Sequence, residues 1–344
     1  MKKTFTKTIA LVILMFTAIM FAGCSRSSYE FMNWNDCAAL NSLKDYVSDV
    51  TNEKSENFIP VEDRIVVFDM DGTLYGELFP TYFEYLLLCY RCLSDENYVA
   101  PEDARNVAEK IMTAAQTGSV PDMAMEHAMA QAKVFAGMTI KEFEDYVTEF
   151  MKLTPAGFEG MTYGTAFYLP MLEVIDFLQK NDFKTYIVSG SDRYICRALA
   201  GKACNIPFEQ IIGMDVQLQA TEQGDLNGMN YEFKSTDKVV KTETVLIKNL
   251  KTNKVLQIAH EIDKQPVLSF GNSSGDVSMH LYTTTNNKYK SQAYMLIADD
   301  EIRDYGNTSK ANALGENWRK KGFNVISMKN DWKTIYGSNV IKTK

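Results

Sequence analysis

Histidine is nearly missing from this sequence, with three in 344 residues. That scarcity argues against a zinc site, whose ligand sets draw on clustered histidine and cysteine. No block of lysine and arginine stands anywhere in the chain, the formal net charge is −8, and the pI is near 5.1. A nucleic-acid binder would carry a basic field, so no nucleic-acid partner is expected. Internal repeats are absent as well. The cysteines fall at positions 24, 37, 89, 92, 196 and 204. With Cys24 set apart, the remainder is an odd set without the spacing of a disulfide framework. Cys89 and Cys92 lie in "YLLLCYRCL", where two core-facing thiols are favoured over a metal or redox pair.

Apolar mass is plentiful. Hydrophobic residues make up 46% of the chain, enough for one large core or two smaller ones and too much for a disordered chain. The opening stretch, "MKKTFTKTIALVILMFTAIMFAGCSRSS", runs from lysines through an apolar segment, Ile9 to Ala22, to small residues and Cys24. The apolar segment is short for a bilayer span and a polar, Ser-rich stretch follows at once, so an export signal is expected. "FAGC" resembles the bacterial lipoprotein box. The resemblance implies a signal peptide over 1–23 and a lipid on Cys24. The mature protein would then be exported to the bacterial cell envelope, on the periplasmic or surface side, tethered to a membrane but not embedded in it.

Along the rest of the chain, 24–63 reads as a lead-in segment with one helix, "CAALNSLKDYVSDV". The apolar run "RIVVFDM" reads as a buried strand. Four helical pieces follow, "TYFEYLLLCYRCL", "PEDARNVAEKIMTAA", "PDMAMEHAMAQAKVFA" and "TIKEFEDYVTEFMK", each bounded by Pro, Gly, Ser or Thr signals. A helix and strand, "LPMLEVIDFLQKND" and "FKTYIVSGS", resume the core pattern, followed by the helix "RYICRALAGKAC". Residues 211–233 read as a strand, a Gly-Asn turn and another strand. "VVKTETVLIKNLKTNKVLQIAHEI" reads as a helix with a polar interruption, and "PVLSFGNSSGD", "AYMLIAD" and "NVISMK" read as strands. Strands alternating with helices predict an α/β fold, a Rossmann-like parallel sheet with helices on both faces and a helical cap inserted after the first strand. The core would span 64–74 and 165–344, and the cap 75–164.

Polar signals stand at the ends of these strands or the starts of helices, in the order Asp69 with Asp71, Ser189, Lys241, and Asn272 with Asp276. Ligand sites sit at such carboxyl ends. Together "FDMDGT", "YIVSGS", a helix-opening lysine and "SFGNSSGD" resemble the haloacid dehalogenase superfamily of phosphohydrolases. The cap position and the stretch 211–233 are similar to its phosphoserine phosphatase-like branch. The resemblance runs from the first strand to the C-terminus and implies a phosphoric monoester hydrolase. Asp69 would be the nucleophile, forming an aspartyl-phosphate. Asp71 would protonate the leaving oxygen and then activate water. Lys241 would neutralise the attacking carboxylate. Thr73, Ser189 and Gly190 would bind phosphate. Mg²⁺ would be held by Asp69, the main-chain carbonyl of Asp71, Asn272 and Asp276. The commonest family pattern has aspartate where this chain has Asn272, which removes one charge from the metal end.

The leaving group is read from aromatics. Tyr75, Phe79, Tyr82, Phe83, Tyr85, Tyr163, Phe167 and Tyr168 crowd the cap boundary, most of them as packing. Any that face the pocket would hold a quaternary ammonium. A small phosphorylated substrate is expected, phosphocholine or phosphoserine among the options. The alternatives are a phosphotransferase on the same fold and a non-catalytic envelope lipoprotein that binds a phosphorylated ligand.

Overall fold

The run Ile65–Phe68 is apolar at every position and buried at every position, as a strand covered on both faces must be. It is β1 in the computed structural model, which describes residues 29–77, 79–116 and 122–343. The signal segment and Cys24 lie outside the described residues. Among those described, no helix is long and apolar enough to cross a membrane. The later strands are β2 (Phe158–Glu159), β3 (Lys184–Asp192), β4 (Ile211–Ala220), β5 (Val239–Ile247), β6 (Leu268–Gly271), β7 (Gln292–Ile297), β8 (Asn324–Ser327) and β9 (Ile341–Lys342).

Seven of these form one sheet in the order β5-β4-β3-β1-β6-β7-β8, while β2 and β9 make a separate antiparallel ribbon. Every pair in the large sheet is parallel except β4 with β5. The fold is therefore α/β with a mostly parallel sheet, as expected. Ile65 and Val67 point to one face and pack with Ile258 and Met279 from two helices. Phe68 points to the other, stacking on Phe270 at 4.6 Å, and Phe270 stacks in turn on Tyr294 at 4.8 Å. Because β1 lies between β3 and β6, the order of strands reverses there, and a crevice opens at its carboxyl end.

Between β1 and β3 run the helices Phe83–Leu93, Glu102–Gln116, Ala124–Val134 and Ile140–Phe150, close to the four expected. The last opens on a capping box in which Thr139 and Glu142 exchange hydrogen bonds.

Two expectations fail on the far side of β4. Residues 239–247 form β5, not the start of a helix. Val239, Val240, Thr242, Thr244, Val245 and Ile247 are β-branched and fit a pleated strand better than a helix. The strand expected to end near Phe233 does not form there. Asp237 instead gathers the connection, accepting from Thr221 Oγ1, Tyr231 Oη and the main-chain N–H groups of Glu222 and Lys234 at 2.7–3.1 Å.

β4 approaches the turn that ends β3 so closely that a Cβ on Gly213 would lie 2.6 Å from the Ser191 carbonyl and from the Arg193 Cα. Both contacts are backbone and cannot swing away. Gly213→Ala is expected to cost about 1–3 kcal/mol of stability through overpacking, read as a lower urea midpoint; an unchanged midpoint would show that the turn has room.

Candidate active site

Asp69 follows β1 directly, and its main-chain N–H donates to the Phe270 carbonyl at 2.9 Å. Its side chain therefore stands at the carboxyl edge of the sheet beside the end of β6. Asp69 Oδ1 accepts from Lys254 Nζ at 2.5 Å, and the same ammonium donates to Asp276 Oδ1 at 2.7 Å. All three side chains are buried. One cation thus holds together two carboxylates that would repel each other. Burial and the Asp276 charge raise Asp69 above the ordinary carboxylate range against the pull of Lys254. Burial alone would raise Asp276 too, but Lys254, His280 and the Ser273 N–H outweigh it and hold Asp276 below its usual value.

Asp71 sits across the cavity with a different environment. Its Oδ2 accepts from Ser191 Oγ at 2.7 Å, and its Oδ1 is buried with no hydrogen-bond partner among the described residues. Burial, with the charges of Glu84 and Glu77, pushes Asp71 up to about 7 against the lowering effect of Ser191. A carboxyl that titrates near neutrality can give and take a proton, which suits general acid and base work.

The structure moves three of the sequence candidates. Lys241 lies on β5, where Nζ pairs with Asp192 Oδ2 at 2.7 Å over the Phe143 ring. Asp192 in turn caps the helix Arg193–Ala203 by accepting from the Tyr194 N–H. Lys241 therefore braces the turn after β3, and the lysine on Asp69 is Lys254, in the first turn of the helix Thr252–Glu261. The available signal was "KTNKVLQIAHE", a lysine opening an amphipathic helix thirteen residues later than the one chosen. Ser189 is fully buried and its hydroxyl accepts from the Ser191 N–H at 3.1 Å. Ser191, two residues on along the same strand, carries the hydroxyl that reaches the cavity. Asp276 has no oxygen to spare for a metal. Oδ1 takes Lys254, and Oδ2 takes the N–H groups of Asn272 and Ser273 and the Ser273 hydroxyl at 3.0–3.1 Å.

Asp69, Asp71, Gly190 and Asn272 do come together, lining a cavity of about 610 Å³ between the sheet edge and the helical insert. Thr73 is buried, with its hydroxyl 3.4 Å from Asp69 Oδ2 and 3.3 Å from Asn272 Oδ1. Two hard oxygens thus converge on one point, a donor set that suits Mg²⁺. Among the described residues, no group of three or more His, Cys, Asp or Glu side chains is arranged to hold a metal ion. A cation here would depend on the Asn272 amide and main-chain oxygen. From the insert come Tyr82, Glu84 and Tyr85. Glu84 pairs with Lys248 across the cavity at 2.9 Å.

Of the aromatics, Tyr75, Phe83, Tyr163 and Phe167 are buried against one another. Tyr168 is buried beside Trp332 and Tyr336, and Phe79 stacks on Tyr305. Tyr82 and Tyr85 face the cavity.

A sequence model of the haloacid dehalogenase-like hydrolases matches residues 66–280. Among solved structures, a conserved functionally unknown protein from Anaerococcus prevotii DSM 20548 is similar with a TM-score of 0.52 and 14% identity, over 91% of this chain and 98% of that one. A protein with unknown function from Bordetella pertussis Tohama I gives a TM-score of 0.48 and 14% identity, over 76% and 97%. A phosphoserine phosphohydrolase-like protein from Francisella tularensis subsp. tularensis SCHU S4 gives 0.40 and 15%, over 76% and 94%. At these identities the first likeness speaks for the fold alone, and the other two are too distant in shape to add to it. No curated protein matches the chain.

The two lysines separate by experiment. Lys254→Ala should lower turnover on the order of 10²–10³-fold, the scale of removing one preorganised charge partner. Lys241→Ala should instead cost about 3–5 kcal/mol of stability, because it leaves Asp192 buried and unpaired. Kinetics and urea unfolding on both variants decide this, and the reverse pattern would restore Lys241 to the site. Ser191→Ala removes a donor that favours ionised Asp71, so the pH limb governed by Asp71 should move to higher pH; a limb that stays in place would detach Ser191 from it.

Proposed function

The chain belongs to the haloacid dehalogenase-like hydrolases, and from that premise we propose that it is a Mg²⁺-dependent phosphatase of small phosphomonoesters. The observation that carries this reading is the contrast between its two aspartates. Asp69 is held in place by an ammonium group, while Asp71 keeps an unpartnered Oδ1 and titrates near 7. A site that only bound phosphate would need neither.

The proposed reaction has two steps. An Asp69 carboxylate oxygen attacks phosphorus, the bond from phosphorus to the ester oxygen breaks, and the Asp71 proton passes to the departing alcohol. Asp71, now ionised, takes a proton from water as that water attacks the aspartyl-phosphate, releasing inorganic phosphate and returning Asp69. Lys254 keeps Asp69 aimed and offsets negative charge as it gathers on the phosphoryl group. The Ser191 hydroxyl orients Asp71, and Gly190 lets the main chain approach the phosphate. Asp69, the Asp71 carbonyl and Asn272 Oδ1 would hold Mg²⁺, which when bound supplies positive charge against the carboxylates and phosphate.

For the alcohol we favour one that carries an ammonium group, as in phosphocholine or phosphoserine. The rings of Tyr82 and Tyr85 lie 5.8 Å apart at 76°, and Glu77 and Asp122 line the same cavity. Aromatic faces with nearby carboxylates attract such a cation. We further propose that a lipid on Cys24 tethers the mature chain to a membrane of the cell envelope.

A panel of phosphomonoesters with and without Mg²⁺ tests the activity. Metal-dependent release of phosphate is expected, fastest with ammonium alcohols, and Asp69→Asn should abolish it while the fold persists. Binding of phosphate without release from any ester would leave a ligand-binding role. Transfer to added alcohols in preference to water would make the enzyme a phosphotransferase. For the tether, Cys24→Ser should shift the processed chain out of the membrane fraction, and a processed variant that stays there would contradict lipidation.

A further inference from the structure

Asn272 replaces a carboxylate with an amide, and an amide offers a cation its oxygen only if it faces the right way. The contacts around it set that direction. Asn272 Nδ2 donates to Glu77 Oε1 at 2.7 Å, and Oδ1 accepts from Thr73 on the side of Asp69. Turned over, the amide would set its oxygen against the Glu77 carboxylate with no proton between them. Glu77 is itself held by the Tyr82 hydroxyl at 3.2 Å. Gly72 makes the arrangement possible, since a Cβ there would stand 2.0 Å from Asn272 Nδ2 and 2.6 Å from Glu77 Oε1.

We propose that Glu77 is a positioning residue for the cation site, locking the Asn272 amide with Oδ1 toward Asp69 and supplying the negative charge that residue 272 lacks. The inference rests on reading the site as cation-dependent. It changes the expectation for Asn272→Asp. Taken alone, position 272 would gain affinity from an added charge. Beside Glu77 the new carboxylate would meet another at hydrogen-bond distance, and two carboxylates that close do not both ionise. Charge and hydrogen bond are restored together only when the pair is exchanged, with an aspartate at 272 accepting from a glutamine amide at 77.

Mn²⁺ binding to the full chain in detergent, followed by the paramagnetic resonance of the free ion, tests this without reference to turnover. Glu77→Met should weaken binding about 10–100-fold, the range of lost outer hydrogen-bond partners. Glu77→Gln, which keeps an acceptor, should weaken it less. Asn272→Asp alone should not tighten binding. The double change Asn272→Asp with Glu77→Gln should bind at least as tightly as the native chain. Circular dichroism confirms that each variant is folded. The proposal is overturned if Glu77→Met binds as the native chain does, or if Asn272→Asp alone binds as tightly as the double variant. A double variant as weak as Glu77→Met also overturns it, and makes Glu77 a direct ligand. A native chain that takes up no Mn²⁺ removes the cation-dependent reading beneath it.

Discussion

One buried ammonium group holds the catalytic edge of this molecule together. Lys254 Nζ lies between Asp69 and Asp276, within 2.7 Å of an oxygen of each, and both carboxylates are out of water. Without it, two negative charges would face each other where solvent cannot separate them, and one would have to take up a proton. The geometry leaves little slack. A Cβ on Gly271 would stand 2.6 Å from the Asp276 side chain, so the end of β6 is glycine where the second carboxylate folds back. Three separate pieces of chain meet on this ammonium: the end of β1, the first turn of the helix Thr252–Glu261, and the loop after β6.

The remaining polar groups arrange themselves around that fixed point. Since Lys254 takes Asp69 Oδ1, the other oxygen is turned to the Thr73 hydroxyl and the Asn272 amide. Because Asp276 spends its oxygens on Lys254 and on loop donors, it shapes the loop that presents Asn272. Asp71 stands outside this ion cluster, held by Ser191, with a carboxyl free to exchange a proton. Two aspartates one residue apart in sequence thereby acquire opposite duties from their surroundings.

The sheet and the first aspartate pair were legible because strand ends announce themselves. An unbroken apolar run stopping at "DMDGT" leaves few places for the carboxylates. What failed was the assignment of particular side chains where local pattern was ambiguous. Lys241 sits in "VVKTETVLI", whose β-branched residues favoured the strand, yet its spacing from Ser189 suited a helix start. Lys254 lacked a local mark that distinguishes it from Lys248 or Lys251. Ser189 and Ser191 share a strand face, and only the hydrogen bond from the Ser191 N–H back to Ser189 tells them apart. Glu77 was invisible to sequence, since its partner lies 195 residues away.

The central claim is that phosphorus passes through the Asp69 carboxylate, and trapping that state tests it most directly. A phosphomonoester labelled in its phosphoryl group, mixed with the chain and quenched in acid during turnover, should leave label on the peptide that contains residue 69 and none in Asp69→Asn. Turnover with no label on the chain, or label on another residue with Asp69→Asn still active, would contradict the account.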